Sequence, residues 1–91
     1  MKVEAIRLDP ASPTPLYLQL AESLRGMIDE GAVRVGEALP SERELSARTR
    51  ISRVTVRKAL DALLREGMLS RRRGSGTYVA PRIEQIGRAH V

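Results

Sequence analysis

LPSERELSARTRISRVTVRKALDALLREGMLSRRRGSGTYV, residues Leu39 to Val79, is the stretch whose reading decides the fold. Ser41 and Glu44 have the Ser-x-x-Glu spacing of a capping box, which predicts a helix start. Ser52 sits just ahead of a second periodic apolar run and predicts another. Between them Arg48-Thr49-Arg50-Ile51 is short enough for a sharp helix-to-helix turn. The second run stops at Gly67, a left-handed cap. Met68 and Leu69 then begin a strand, and Thr77, Tyr78 and Val79 form its return partner. Gly74 and Gly76 permit the positive φ that a tight connection needs. A helix-turn-helix followed by such a hairpin is a winged helix. The predicted class is mainly α with a small β-hairpin (α+β): three helices plus a wing.

The third helix is predicted over Arg53 to Glu66. Its Val56, Ala59, Leu60 and Leu63 fall within about 100° of one another and face a core. Val54, Arg57, Lys58, Asp61 and Arg65 project from the opposite arc, with Thr55 at the edge. The second helix runs from Glu42 to about Thr49 and is expected to bury Leu45 and Ala47.

Further upstream, Leu16, Leu20, Leu24, Met27 and Ile28, with Tyr17 and Ala21 beside them, span about 140° of an amphipathic helix. Leu18 is expected to face outward. Pro15 suits a first helical position, with Thr14 as its cap, and Gly31 suits the end. Residues 32–40 read as a loop with at most a very short strand near Ala38 and Leu39. Residues 1–13, with Pro10 and Pro13, read as an extended N-terminal arm.

Ninety-one residues make one small domain, near the lower limit for a single core. The chain has no cysteine and one histidine, His90, beside the end, so thiolate or His-based metal and acid–base chemistry is not expected. There is no paired-carboxylate cleft, Cys/His pair or P-loop. The expectation is therefore no enzyme, no catalytic residue, no cofactor and no metal. No signal peptide and no apolar run of roughly 20 residues is present. The net charge is +5 and the pI about 10.7. Leu39 to Ala80 holds ten bases and four acids, whereas the rest of the chain holds six and seven. Concentrated positive charge of this kind fits a nucleic-acid footprint. With only two tyrosines as aromatics, a reader of single strands by base stacking is not expected.

Double-stranded DNA is bound by neutralising phosphates and reading bases. Helix N-termini favour phosphates, so Arg43, Ser52, Arg53 and Thr55 are assigned mainly to the backbone, with Arg43 or Arg53 also within reach of a base. Val54, Arg57 and Lys58 lie on the outward side of the third helix, and Arg57 is the first choice for a bidentate guanine contact. Arg72, Arg73, Gly74 and Ser75 form the wing tip, expected along the minor groove. Capping alone accounts equally for Ser41 and Ser52, and Arg71 has Glu66 or Asp61 as an alternative partner. A rival from another class is a winged-helix interaction module whose basic face docks an acidic protein.

These residues carry a family likeness. Pro15-Leu16-Tyr17, Leu39-Pro40-Ser41-Glu42-Arg43-Glu44-Leu45, Ser52 to Leu60 (SRVTVRKAL), Glu66-Gly67 and Gly74-Ser75-Gly76-Thr77-Tyr78-Val79 resemble the N-terminal DNA-binding domain of GntR-family bacterial transcriptional regulators. The likeness covers about Thr14 to Pro81, giving a domain over 14–80. It implies DNA contact at the positions of Arg43, Ser52, Arg53, Thr55, Arg57 and Gly74. It further implies a palindromic operator, a homodimer in the full-length protein, and a separate C-terminal domain that senses a small molecule. Repression and a cytoplasmic place at the bacterial nucleoid, without membrane attachment, are the matching expectations. Arg50 departs from the glycine or asparagine usual in the turn. If its φ is positive it carries strain of order 1 kcal/mol.

Residues 81–91 read as the start of a linker, and Val79 to Gln85 resemble the junction into a HutC-like sensor domain. Gln85 to Val91 back-translate as CAG ATC GGA AGA GCA CAC GTC, whose last bases coincide with a common sequencing adapter. Residues 86–91 are therefore expected to be non-native.

Overall fold

Nearly every helix boundary can be followed to a hydrogen bond. The computed structural model describes residues 6–74 and 76–81. In chain order these form α1 (Leu16–Asp29), α2 (Glu42–Thr49), α3 (Arg53–Arg65), β1 (Leu69–Arg72) and β2 (Gly76–Val79). At the start of α2 the Ser41 hydroxyl accepts the Glu44 N–H at 3.0 Å. At the start of α3 the Ser52 hydroxyl accepts the Thr55 N–H at 3.1 Å. Each satisfies a backbone donor that a helix start leaves open.

The turn between α2 and α3 is made by Arg50, at φ 62° and ψ 34°. Its N–H donates to the Ser46 carbonyl, and the Ser46 hydroxyl donates to the Ile51 carbonyl. One short side chain thus ties both sides of the turn. α3 ends one residue earlier than predicted, because Glu66 is its C-cap. Gly67 follows at φ 80°. The Gly67 N–H reaches the Leu64 carbonyl at 3.1 Å and the Met68 N–H the Leu63 carbonyl at 3.0 Å, which is a Schellman closure.

Four expectations upstream and in α2 are corrected. Pro15, not Thr14, is the N-cap of α1, and no side chain caps it. Instead Gln19 donates to the carbonyls of Thr14 (2.8 Å) and Asp9 (3.0 Å) and accepts the Asp9 N–H (2.7 Å). That clasp folds the preceding segment back, and Ile6 and Leu8 pack on the core. Residues 6–13 are therefore not an extended arm. Leu16 and Leu18 are both half-buried, rather than one inward and one outward. Ala47 is exposed, while Leu45 is fully buried and Ser46 and Thr49 are half-buried. The buried side of α2 thus follows helical spacing from Leu45, not the next apolar residue.

The core joins all elements: Leu20 and Leu24 of α1, Leu45 of α2, Val56, Leu60 and Leu63 of α3, and Leu69 and Val79 of the hairpin. Burying such a side chain contributes about 1.5–3 kcal/mol. The hairpin pairs Leu69 with Val79 and Arg72 with Gly76, antiparallel. Ala38 bridges Tyr78, and the Leu39 N–H donates to the Thr77 carbonyl at 2.9 Å. The short extra edge expected near Ala38 and Leu39 is present, and it steadies an otherwise marginal two-stranded ribbon. Arg25 of α1 forks onto Glu66 at 2.6 and 3.0 Å and braces the end of α3.

Candidate nucleic-acid interface

The core side of α3 is closed by Val56, Ala59, Leu60 and Leu63, which forces Val54 and Arg57 outward. Val54 is 66% exposed, far more than a packing role would leave. Arg53 is exposed beside it, and Arg43 is exposed on the first turn of α2. Among the described residues neither Arg43 nor Arg53 makes a side-chain hydrogen bond or ion pair. Ser52 and Thr55 are engaged with each other, their hydroxyls 2.8 Å apart. Their first role is therefore to shape the start of α3; contact with a ligand would be added to it.

Arg57 is held by Glu42 across the two helices. Its Nη2 lies 3.0 Å from Oε1, and its Nε lies 3.3 and 3.2 Å from the two carboxylate oxygens. The Arg57 hydrogen bonds keep the Glu42 carboxyl below the usual carboxylate range. The same contact makes the Arg57 guanidinium more basic still. The Arg57 side chain nevertheless remains 55% exposed, against 22% for Glu42. Glu42 is thus the inner partner, and the arginine stays at the surface. Lys58 turns toward α1, its ammonium 4.9 Å from the centre of the Tyr17 ring.

On the wing, Arg72 lies over the Tyr78 ring at 4.8 Å. The register explains this: Ser70 opposes Tyr78, so Arg72 is the diagonal neighbour on the same face. Arg71, on the other face, pairs with Asp61 of α3 at 3.5 Å, which settles which of its two expected partners it takes. Arg73 and Gly74 are exposed at the tip. Gly74 has φ 77°. Ser75 lies outside the described residues, as do residues 82–91 with the linker and the tail. A cleft of about 420 Å³ separates the wing from the start of α2, lined by Pro40, Ser41, Glu42, Arg71, Arg72 and Arg73 among others.

The structure therefore brings Arg43, Ser52, Arg53, Val54, Thr55 and Arg57 to adjoining turns of two helices, with Arg72, Arg73 and Gly74 on the wing across that cleft. Sequence reasoning missed Glu42, the partner of Arg57. It also missed both tyrosines as cation platforms. The signal for Glu42 was faint: an acid in a first turn is ordinary dipole chemistry.

Fold and surface together define a winged helix-turn-helix protein. The family model for bacterial regulatory proteins, gntR family, matches residues 16–79, and the chain belongs to that family. The HTH-type transcriptional regulator GgaR of Escherichia coli K12 is 45% identical over 73 residues, 80% of this chain and 29% of that protein. The HTH-type transcriptional repressor NagR of Bacillus subtilis is 43% identical over 81 residues, 88% of this chain and 33% of its own length. The chain thus spans about a third of the curated relatives it matches. Among solved structures, YtrA from Sulfolobus acidocaldarius, a GntR-family transcription factor, superposes with a TM-score of 0.81 at 30% identity, covering 93% of this chain and 90% of that one. The DNA-binding domain of AraR in complex with operator ORX1 gives a TM-score of 0.74 at 34% identity, over 81% of this chain and 92% of that one. Among the described residues no helix is long and apolar enough to cross a membrane.

Proposed function

We propose that this chain is the DNA-reading part of a bacterial transcriptional regulator and binds double-stranded DNA sequence-specifically. One observation carries the reading: Arg53, Val54 and Arg57 stand exposed on the side of α3 turned away from the core, with Arg43 beside them. That side enters the major groove. Arg43 and Arg53 neutralise phosphates at two helix starts, where the positive end of each helix dipole adds to the field. Arg57 offers hydrogen-bond donors to guanine, and Val54 offers the apolar contact that a thymine methyl group favours. The wing tip, with Arg73, Gly74 and Ser75, follows the minor groove, and Lys58 and Arg72 add charge at the margins. The structural likeness to an AraR DNA-binding domain in complex with an operator supports DNA as the partner.

The relatives named above are about three times as long as the matched stretch; in a protein of that length the remainder would pair two copies on a palindromic operator and sense a small molecule, as the GntR-family likeness implies. NagR, a repressor by name, supports repression as the direction of control. A cytoplasmic, nucleoid-bound protein follows from the same reading.

A gel shift on genomic fragments at rising salt tests the proposal. About five phosphates neutralised per protomer give a log–log slope near −4 to −5. Absence of binding at low salt would instead favour docking of the basic face on an acidic protein.

A further inference from the structure

Resting on that reading, we infer that Glu42 is a positioning residue for DNA specificity: it holds Arg57 side-on, so that the guanidinium meets a base and is withheld from phosphates. A guanidinium carries five N–H donors in a fixed plane. Glu42 takes the edge formed by Nε and Nη2. The edge formed by Nη1 and the second hydrogen of Nη2 is left, and it has the two-pronged spacing that guanine O6 and N7 require. Arg57 is the more exposed partner of the pair, and that remaining edge is the one Glu42 leaves open. An arginine fixed in this way has lost its side-chain freedom before DNA arrives, so less is lost on meeting the correct base.

The carboxylate also discriminates against the wrong partner. A phosphate approaching Arg57 meets a charge already neutralised and a second anion behind it. Arg43 and Arg53 make no ion pair or side-chain hydrogen bond among the described residues; Glu42 acts on Arg53 only through its field and leaves the donors of both unheld. Glu42 thus divides the arginines of one face into those that grip any duplex and one that reads.

The test is Glu42→Gln in the 91-residue chain, measured on a duplex selected from a random pool and on an unselected duplex, across salt. Removing the carboxylate frees Arg57 for phosphate. Affinity for the unselected duplex should rise about three- to tenfold at 0.1 M salt, and its salt slope should steepen by about 0.9. The selected duplex should gain less or lose, so the ratio of the two affinities falls at least about threefold. Glu42→Asp, which keeps the charge, should restore most of the ratio. Lysine cannot be held side-on, so Arg57→Lys should lower the ratio alone, and Glu42→Gln should lower it no further on that background. Equal changes on both duplexes, or an additive loss in the double variant, would overturn the inference and leave Glu42 a simple staple between α2 and α3. If the unaltered chain binds neither duplex, the proposed function itself fails.

Discussion

Arg50 carries a left-handed backbone in a side chain poorly suited to it. At φ 62° a β-carbon crowds the following carbonyl, at about 1–2 kcal/mol. Glycine removes that clash but gains chain entropy when unfolded, worth roughly 0.5–1 kcal/mol in the other direction. Arg50→Gly should therefore stabilise the domain by about 0.5–1 kcal/mol and raise Tm by roughly 2–8 °C. A melting curve that stays put or moves down contradicts the strain. Gly67→Ala is the converse: nothing lies within 4 Å of the added carbon, so any loss is conformational, about 1 kcal/mol. The contact residues make a second test. Arg57→Ala should relax preference at one operator position, whereas Arg73→Ala should weaken all duplexes alike. Binding assays on a panel of single-base operator variants read the difference, and equal losses for both substitutions would contradict the division of roles.

Among elements, α3 is both the proposed reading surface and the centre of the core, so its inner face sets the stability of the whole. Leu63 is fully buried against α1 and the hairpin cluster. Leu63→Ala should cost about 2–5 kcal/mol, against the roughly 3–5 kcal/mol that a domain this small supplies. Circular dichroism should then show a strongly lowered Tm and, at 25 °C, a chain near the edge of unfolding; a melting curve like that of the unaltered chain would contradict the burial of Leu63. The starts of α2 and α3 and the glycine closing α3 were legible in the sequence because caps are local: Ser41, Ser52 and Gly67 each act on backbone within a few residues, whereas the start of α1 has no side-chain cap to read. The phase of α2 was not. One buried leucine leaves the helix face to be set by spacing, and reading Ala47 as buried followed its apolarity rather than its position. The Glu42–Arg57 pair joins residues 15 apart on different helices, and the Gln19 clasp reaches back 10 residues. No local pattern records either, since both depend on how the elements settle against one another.

For the molecule as a whole, the uneven charge foreshadowed where basic side chains gather, because positive residues concentrate between Leu39 and Ala80 and the fold sets them on neighbouring elements. What the charge count could not separate is arginines that brace the fold from those left open. Arg25 is occupied with Glu66 and Arg71 with Asp61, so the net positive field at the surface comes from fewer side chains than the composition implies. The same logic bounds affinity. In the proposed complex one winged domain meets one half-site, and joining a second copy would add the local concentration that two linked domains give each other.

The junction at Gly67 and Met68 has a bearing on which DNA can be bound. With both residues locked by hydrogen bonds to the last turn of α3, the ribbon leaves the helix at a set inclination, like the second arm of a fixed caliper. In the proposed complex that caliper straddles a phosphate ridge, and adjustment falls to the duplex. Two operators offering identical bases to α3 would then be told apart by how readily the neighbouring narrow groove yields to the gap between the arms.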